Sequence, residues 1–301
     1  MVTYLPWLLL LAFQSPPTFT SQVNLVHVEA EVREDERLIE GLRKQDFRIE
    51  DNGEEQEILY LGNQEEPLDI ILLLDTSISM RPVIERIADA ASASLGQLQE
   101  GDRIALMTFD REPHLVVDFT SEFAEVERLI RERVLTEDFG TGTRIQKAVD
   151  AAARHFLEEA GNGEERRRRA ILVVTDNLAV KPDRQALRDL WEADAVLSGI
   201  VVRHVGMRIL YNVVFPPSLF GMGGINGLVE KTGGITISLD DAGEGLQQMI
   251  QRLRHRYSLY YAMPAGKPGE ERKVKVELEG DAAARYRDAK VRARSGYRIS
   301  E

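Results

Sequence analysis

The 301-residue sequence contains no cysteine. This absence excludes disulfide bonds, thiolate metal sites and cysteine nucleophiles together. It leaves the redox compartment open, because a chain without thiols tolerates an oxidising environment as well as a reducing one. Any metal site in this chain therefore uses oxygen or nitrogen ligands.

The sequence also lacks an apolar run near its N-terminus that is long enough to cross a bilayer. The run from Trp7 to Phe13 is far shorter than the roughly 20 residues that a spanning helix needs. No charged residue precedes Glu29, and Thr18-Phe19-Thr20 offers a small-residue cleavage site, although a basic n-region and an A-x-A sequence are missing. We predict that residues 1–22 are a signal segment, with a mispredicted or truncated start as the alternative. The protein is then secreted or located in the periplasm or cell envelope, with no direct membrane span.

Positive charge is in short supply, and the formal net charge is −12 at pH 7. Nucleic acid and anionic lipid surfaces repel such a chain as a whole, so we expect no nucleic-acid partner. The hydrophobic fraction of 43% and the charged fraction of 29% are ordinary for a soluble globular protein and argue against global disorder. Arg166 to Arg169 oppose the overall sign, and we interpret them as a solvated turn partly neutralised by Glu164 and Glu165.

The common catalytic motifs are absent as well. The sequence has no H-E-x-x-H and no G-x-S-x-G, and its five histidines lack metal-ligand spacing. Lys231-Thr232 follows Glu230 instead of glycine, so these residues do not form a P-loop. We therefore predict that the protein is not an enzyme.

The N-terminal flank, from Val23 to about Leu61, has the periodicity of strands. Every second residue from Val26 to Val32 is apolar, and the residues between them include Glu29 and Glu31. This alternation predicts a strand with one buried face. Two further strands are predicted over residues 46–50 and 58–61, with a turn at 51–53 between them.

The central region alternates between strands and helices. The predicted strands cover residues 68–74, 103–109, 170–175 and 196–202 and are apolar nearly throughout. Such strands need cover on both faces, as in a parallel sheet between two layers of helices. Apolar residues at i, i+3 and i+4 spacing predict amphipathic helices from Ile84, Ile145 and Leu246. Residues 231–234 predict a helix C-cap that leads to a strand over 235–239.

Strand periodicity returns in the C-terminal flank, where Val274, Val276 and Leu278 alternate with charged residues. Neither flank has enough strands to be stable alone. We therefore predict an α/β fold, a doubly wound, mostly parallel sheet flanked by helices, inserted in a small antiparallel β-domain built from both termini. The expected boundaries are residues 23–66 and 258–301 for the two halves of the β-domain and residues 67–257 for the α/β domain.

A candidate metal site follows the first apolar strand of the central region. Asp75, Ser77 and Ser79 form the pattern D-x-S-x-S directly after this strand, and a predicted helix with Pro82 near its first turn comes next. Ligands of open α/β sheets gather beyond the carboxyl ends of the strands. One carboxylate and two hydroxyls form a hard oxygen set that suits Mg²⁺ or Mn²⁺ better than zinc. The alternative is an aspartate N-cap with serine turn residues.

This pattern resembles the first element of the metal-ion-dependent adhesion site of von Willebrand factor A domains. The loop Thr141-Gly142-Thr143 resembles the family's glycine-threonine loop, and the strand that ends in Thr175-Asp176 resembles the strand that ends in T-D. The resemblance covers about residues 67–257. It implies that one Mg²⁺ or Mn²⁺ is held by Asp75, Ser77, Ser79, Thr143 and Asp176. Ile78 and Thr141 stand where glycine is frequent in the family, and neither departure removes a ligating oxygen.

The resemblance also implies a function. In this family a carboxylate of a partner protein completes the metal shell, so we expect a divalent-metal-dependent protein-binding module for adhesion or assembly. The flanks resemble a bacterial secreted subfamily of related proteins. The apolar segment over residues 203–224 either packs on the sheet edge or forms a recognition lip, in which Phe215, Phe220 and Met222 contact the partner.

Three other functions remain open. The first is a structural envelope protein in which the metal only stabilises the sheet edge. The second is an intracellular partner of an ATPase. A metal-assisted hydrolase is the least favoured, because the sequence shows no general base to accompany the metal.

Overall fold

A computed structural model describes residues 24–35, 37–62, 66–136, 143–160, 167–176, 184–202, 225–239 and 242–299. Within these residues the strands are β1 (Leu25–Glu34), β2 (Arg37–Leu38), β3 (Phe47–Asp51), β4 (Glu54–Gln56), β5 (Ile58–Gly62), β6 (Leu68–Asp75), β7 (Arg103–Phe109), β8 (Pro113–Thr120), β9 (Arg168–Thr175), β10 (Ala195–Val202), β11 (Thr236–Leu239), β12 (Tyr257–Ala262), β13 (Glu271–Leu278), β14 (Lys290–Ala293) and β15 (Gly296–Arg298). The helices are α1 (Arg81–Leu95), α2 (Phe123–Glu132), α3 (Ile145–Ala160), α4 (Arg184–Glu192), α5 (Ile225–Lys231), α6 (Ala242–Arg254) and α7 (Gly280–Arg285).

The central region forms one six-stranded sheet with the order β11-β10-β9-β6-β7-β8. All neighbouring strands are parallel except β7 and β8, which are antiparallel. Alternate residues of β6 face opposite cores. Ile70, Leu72 and Leu74 pack with α1, α2 and α6 on one face, whereas Ile71 and Leu73 pack with α3, α4 and α5 on the other. The predicted mostly parallel sheet flanked by helices is therefore confirmed.

The predicted C-cap before β11 is present at the end of α5. Gly233 has a φ of +78°, in the left-handed region that glycine adopts without a steric penalty. The backbone N–H of Gly234 donates a 2.8 Å hydrogen bond to the carbonyl of Val229. A Cβ atom at Gly234 would lie only 1.8 Å from the carbonyl oxygen of Leu197, so the absence of a side chain lets this turn approach β10.

The two flanks of the chain pair with each other in antiparallel sheets. In one sheet β1 lies between β12 and β14, with β5 on the other side of β12 and β2 paired to the end of β1. The other has the order β15-β13-β3-β4. Apolar residues from both sheets share one core, which includes Val28, Ile49 and Leu259. The division into domains at the expected boundaries stays a prediction.

The short N-terminal strands differ from the prediction in their pairing. The turn at Asn52-Gly53 joins β3 to β4, and both turn residues have positive φ angles of 51° and 85°. β5 pairs with β12 in the other sheet. Asp51 belongs to β3, where its buried carboxylate accepts hydrogen bonds from the hydroxyls of Tyr261 at 2.8 Å and Tyr297 at 2.9 Å.

The prediction that β1 has a single buried face is wrong. Glu29 and Glu31 are buried beside the apolar residues, with exposed fractions of 5% and 1%. Both carboxylates have guanidinium partners: Glu29 contacts Arg168 and Arg256, and Glu31 contacts Arg252. Burial of a charge becomes tolerable when the charge is paired, so polar residues in an alternating pattern did not mark an exposed face here.

The interpretation of the arginine run as a solvated turn is also wrong for the residues that the structure describes. Arg168 is the first residue of β9 and is 1% exposed, and its side chain donates to Glu29 on β1 and to the last carbonyls of α6. Arg167 lies with its Nε 2.7 Å from Oδ1 of Asp69. Arg169 donates to the carbonyl of Ala193 at 3.0 Å. These side chains lie at the amino end of β9, where the flanking sheets meet the central sheet.

A second charged contact joins β1 to the turn before β10, at the same boundary between the flanking sheets and the central sheet, which we call the seam. Nδ1 of His27 lies 2.6 Å from Oδ2 of Asp194, and Arg294 pairs with the same carboxylate. Burial is the largest influence on the His27 imidazole and disfavours its charged form, but the charge and hydrogen bond of Asp194 outweigh it. The pKa of His27 is therefore raised above its ordinary value of 6.5.

This pair predicts a pH-dependent loss of stability. Folding raises the pKa of His27, so protonation of His27 stabilises the folded state. This contribution to the free energy of unfolding is complete below about pH 6.5 and is lost as pH rises through the folded-state pKa. Urea unfolding between pH 5.5 and 9 measures this. We expect the loss at high pH to shrink in His27→Gln and to persist in His114→Gln, a change on the exposed part of β8. An unchanged pH profile in His27→Gln would contradict the assignment.

Candidate metal centre

Asp75 lies at the carboxyl end of β6, in the middle of the central sheet. Its side chain is fully buried, and two hydrogen bonds fix its carboxylate. The backbone N–H of Ser77 donates to Oδ1 at 2.9 Å, and the hydroxyl of Thr175 donates to Oδ2 at 2.6 Å. These bonds fix the orientation of the carboxylate and therefore the directions of its remaining lone pairs.

The two serines of the motif lie on the short turn that leads from β6 into α1. The Oγ atoms of Ser77 and Ser79 are 3.4 Å apart. The backbone of this turn is held in place, because Met80 N donates to the carbonyl of Ser77 at 2.8 Å. Thr76 is also anchored, through its backbone N–H to the carbonyl of Phe109 on β7 at 2.8 Å. The two hydroxyls are therefore presented together beside Asp75.

Asp176 reaches the same edge of the sheet from the neighbouring strand. It follows Thr175, the last residue of β9, and β9 pairs in parallel with β6. Its side chain is half-buried. The negative charge of Asp176 acts on Asp75 and is one of the influences that raise the pKa of Asp75. The second predicted carboxylate thus lies within electrostatic reach of the first.

The loop that carries Thr143 is tied to the end of β7, the other strand that neighbours β6. In the sheet register Asp75 lies opposite Phe109 on β7, and the next residue, Asp110, accepts a 2.8 Å hydrogen bond at its carbonyl from the backbone N–H of Arg144. Thr143 precedes Arg144 and is half-buried. Among the described residues its hydroxyl makes no hydrogen bond. The backbone hydrogen bond of Arg144 thus holds this loop at the end of β7, one strand away from Asp75.

The Asp75 carboxylate is electrostatically unsatisfied. Burial is the largest influence and raises its pKa; the hydrogen bonds from Thr175 and Ser77 oppose this, and the charge of Asp176 adds to it, with the pKa raised overall. Within the described residues no arginine, lysine or histidine forms an ion pair with Asp75. A buried carboxylate without a cation is costly, and a divalent cation is the group that would remove that cost.

The donor set fits a hard divalent cation. Two carboxylates and three hydroxyls, all oxygen ligands, are the chemistry that Mg²⁺ and Mn²⁺ prefer. In the described part of the chain, no three His, Asp or Glu side chains converge as they would in an imidazole-rich or carboxylate-rich site. The group around Asp75 combines carboxylates with hydroxyls, so it would hold a cation with a different donor set from those sites.

Thr175 was not predicted to be part of the candidate site, and three residues that were predicted as partner contacts are not described by the structure. Thr175 was noted only as part of the T-D pair, yet its hydroxyl orients Asp75. The signal was available, since Thr175 precedes Asp176 at the end of a strand adjacent to β6. The proposed partner-contact residues Phe215, Phe220 and Met222 lie outside the described residues.

The described helices add one observation about membranes. None of them combines the length and the apolar character that crossing a bilayer requires.

Part of the central region is similar to a known family of domains. Residues 70–178 match the family model of the von Willebrand factor type A domain. The matched segment begins in β6, two residues into the strand, and ends just after Asp176. It therefore includes Asp75, Ser77, Ser79, Thr143 and Asp176 together. No curated protein matches the chain.

Several solved structures are similar to the chain at low sequence identity. One is an aerotolerance-related membrane protein from Bacteroides fragilis NCTC 9343, with 17% identity, a TM-score of 0.44, and coverage of 62% of this chain and 98% of that protein. BatB from Bacteroides thetaiotaomicron has 18% identity, a TM-score of 0.44 and the same coverage. Proximal thread matrix protein 1 from the mussel byssus has 14% identity, a TM-score of 0.46, and coverage of 66% and 49%. Similarity at this level does not extend to function.

Proposed function

We propose that this chain is a divalent-metal-dependent protein-binding module of the cell envelope or exterior, which serves adhesion or assembly. The observation that carries the proposal is the buried Asp75 carboxylate. It is oriented by Ser77 and Thr175, has no cationic partner among the described residues, and lies beside two serine hydroxyls 3.4 Å apart. The family match over residues 70–178 supports the same function, because these domains are generally protein-interaction modules.

Five side chains would hold the Mg²⁺ or Mn²⁺: Asp75, Ser77, Ser79, Thr143 and Asp176. When bound, the cation supplies an electrophilic position that a carboxylate of the partner protein completes. The chain itself supplies preorganisation. Thr175 holds Asp75 in one orientation, and the anchored turn at Thr76 to Met80 holds both serines, so little ordering is required on binding.

The proposed location rests on the N-terminal residues and not on the folded region. Residues 1–22 have the length and apolar character of a secretory signal. A metal-dependent adhesion or assembly module outside the cytoplasm is consistent with the absence of cysteine, since the fold needs no disulfide in an oxidising compartment.

A purely structural metal is the alternative that the test has to separate. In both cases the cation binds Asp75, but only an interaction module retains an acidic ligand through the metal. The test therefore uses displayed peptides as ligands and varies the residue that would coordinate the metal.

The experiment compares two peptide libraries that share random flanks and differ in a fixed central residue, aspartate in one and asparagine in the other. We expect the immobilised chain in Mg²⁺ to retain the aspartate library at least tenfold better than the asparagine library. EDTA and the Asp75→Asn variant should each remove the difference. Asp89→Asn, which changes an exposed carboxylate on α1, is the matched control. Equal retention of both libraries by the wild-type chain would refute the interaction function.

A further inference from the structure

The surface around the candidate metal centre carries an exposed apolar side chain. Ile78 stands between Ser77 and Ser79, and 59% of it is exposed. Exposed large hydrophobic residues are few in the described part of the chain, and Ile78 is more exposed than Leu59, Tyr60 and Leu115. Single exposed apolar residues are common on proteins. This one is unusual in its position, because the turn that places both serine hydroxyls also fixes its backbone.

A second exposed side chain near the candidate centre is a cation, Arg144. Arg144 follows Thr143, and its backbone is tied to Asp110 at the end of β7. Its guanidinium forms no hydrogen bond or ion pair within the described residues. The charge of Arg144 acts on Glu112, whose pKa is lowered first by a hydrogen bond from Lys147 and also by Arg144. Glu112 pairs with Lys147 and not with Arg144, so no acceptor among the described residues occupies the donors of the Arg144 guanidinium.

Ile78 and Arg144 therefore flank the metal constellation from two different loops. Ile78 belongs to the turn after β6, and Arg144 belongs to the loop before α3. A protein segment that brings a carboxylate to the centre has to pass over both loops. In an extended segment the side chains alternate between two faces, so the residues two positions before and after the coordinating residue, about 6.6 Å away along the chain, face the same loops.

We propose that Ile78 and Arg144 select the partner, a protein segment whose metal-coordinating acidic residue stands between an apolar residue and a second acidic residue. This inference rests on the proposed function, because it assigns the flanks of a ligand whose central residue reaches the metal. Ile78 contributes an apolar surface, and its burial against the partner makes binding more favourable. Arg144 contributes a charge-assisted hydrogen bond to the second carboxylate. Charge supports this partner: in a chain whose net charge is −12, the Arg144 guanidinium has no ion-pair partner among the described residues and would attract an acidic segment.

The two proposed contacts differ in how they respond to salt. The Arg144 contact is electrostatic and exposed, so added salt screens it within a Debye length of about 8 Å at physiological ionic strength. The Ile78 contact does not depend on charge and persists. Selection at low and at high salt thus separates the two preferences without any substitution.

The test sequences the flanks of the peptides that the chain retains from the aspartate library in Mg²⁺. We expect apolar residues on one side and Asp or Glu on the other to be enriched at least fivefold over the input. Ile78→Ser should lose the apolar enrichment and keep the acidic one, whereas Arg144→Gln should do the reverse. Leu115→Ser, an exposed apolar residue on β8, and Arg128→Gln, an exposed arginine on α2, are the matched controls and should change neither preference.

Each outcome bears on one of the two proposals. Retention of the aspartate library with unbiased flanks, or enrichments that survive in Ile78→Ser and Arg144→Gln, overturns the partner assignment and leaves the metal-dependent function standing. Failure to retain the aspartate library over the asparagine library overturns the proposed function and the partner assignment with it. Thermal unfolding of the variants checks that these exposed substitutions leave the fold intact.

Discussion

Arg168→Met is expected to lower the free energy of unfolding by about 3–5 kcal/mol, the range for breaking a buried ion pair from one side. Arg168 is 1% exposed, and its Nε donates to Oε1 of Glu29 at 2.6 Å. Its other nitrogens donate to the carbonyls of Leu253 and Arg254 at the end of α6. Methionine fills a similar volume but leaves a carboxylate and two carbonyls of the seam without this donor.

The charge of Glu29 explains why the cost is large. Burial is the main influence on this carboxyl and favours its neutral form, but the charges of Arg168 and Arg256 outweigh burial, and the pKa of Glu29 is lowered. Glu29 is therefore ionised in the folded protein at neutral pH. Removal of Arg168 leaves that buried charge with Arg256 alone, 3.1 Å away.

Urea unfolding measures the loss, and an exposed arginine serves as the control. Arg128 pairs with Glu132 at 2.9 Å on α2, with 53% of its side chain exposed. Exposed pairs contribute at most about 1 kcal/mol, so Arg128→Met should have a small effect. A loss of less than about 1 kcal/mol in Arg168→Met would show that the seam does not depend on this residue.

The second large effect is expected on metal-dependent stability. A ligand that binds only the folded state stabilises it by about 2.7 kcal/mol at 100 times its Kd. For domains of about 150–250 residues, 1 kcal/mol corresponds to roughly 2–4 °C in Tm. We therefore expect saturating Mg²⁺ to raise the Tm of the wild-type chain by roughly 5–10 °C and to leave the Tm of Asp75→Asn unchanged.

Asparagine is the informative substitution because it can keep both hydrogen-bond partners, with the direction of the bond to Thr175 reversed. Its Oδ1 accepts from Ser77 N as before, and its Nδ2 donates to Oγ1 of Thr175. The buried negative charge of Asp75 disappears, so without added metal the Tm of Asp75→Asn should equal or exceed that of the wild type. Asp89→Asn should keep the full response to Mg²⁺. A Tm of Asp75→Asn far below that of the metal-free wild type would assign Asp75 a structural role instead.

The fold of the central region was predictable because its strands are apolar on both faces. Residues 103–109 were predicted as a strand and form β7 with the same bounds. β8 was missed, and its physical character explains this: it is an antiparallel edge strand in which every residue is half-buried or exposed, so it lacks the continuous apolar run of its neighbours. The sheet edge therefore carries less sequence signal than the sheet centre.

The charged seam was not predictable from periodicity. Glu29 and Arg168 are 139 residues apart in the chain, and a local pattern says nothing about a pair of that separation. A charged residue in an alternating strand ordinarily marks the exposed face, which is why one face of β1 was expected in water. Only the three-dimensional pairing shows that both faces are covered.

The residue types of the candidate site and their order along the chain could be predicted from the sequence. Strand ends meet at one edge of a parallel sheet, so Asp75 and Asp176 at the ends of paired strands had to lie close together. The hydrogen bond from Thr175 to Asp75 depends on side-chain rotamers across two strands, and the motif does not encode it directly. The proposed contacts of Phe215, Phe220 and Met222 stay predictions.

Calorimetric titration of Mg²⁺ into the purified chain tests the central claim most directly. We expect saturable binding at a single site in the wild type and in Asp89→Asn, and no binding in Asp75→Asn. Mn²⁺ should compete for the same site, since both cations favour the oxygen ligands that the constellation offers. Equal binding of Mg²⁺ by the wild type and by Asp75→Asn, or saturable binding by neither, would contradict the claim that Asp75 and its neighbouring hydroxyls form a divalent-metal centre.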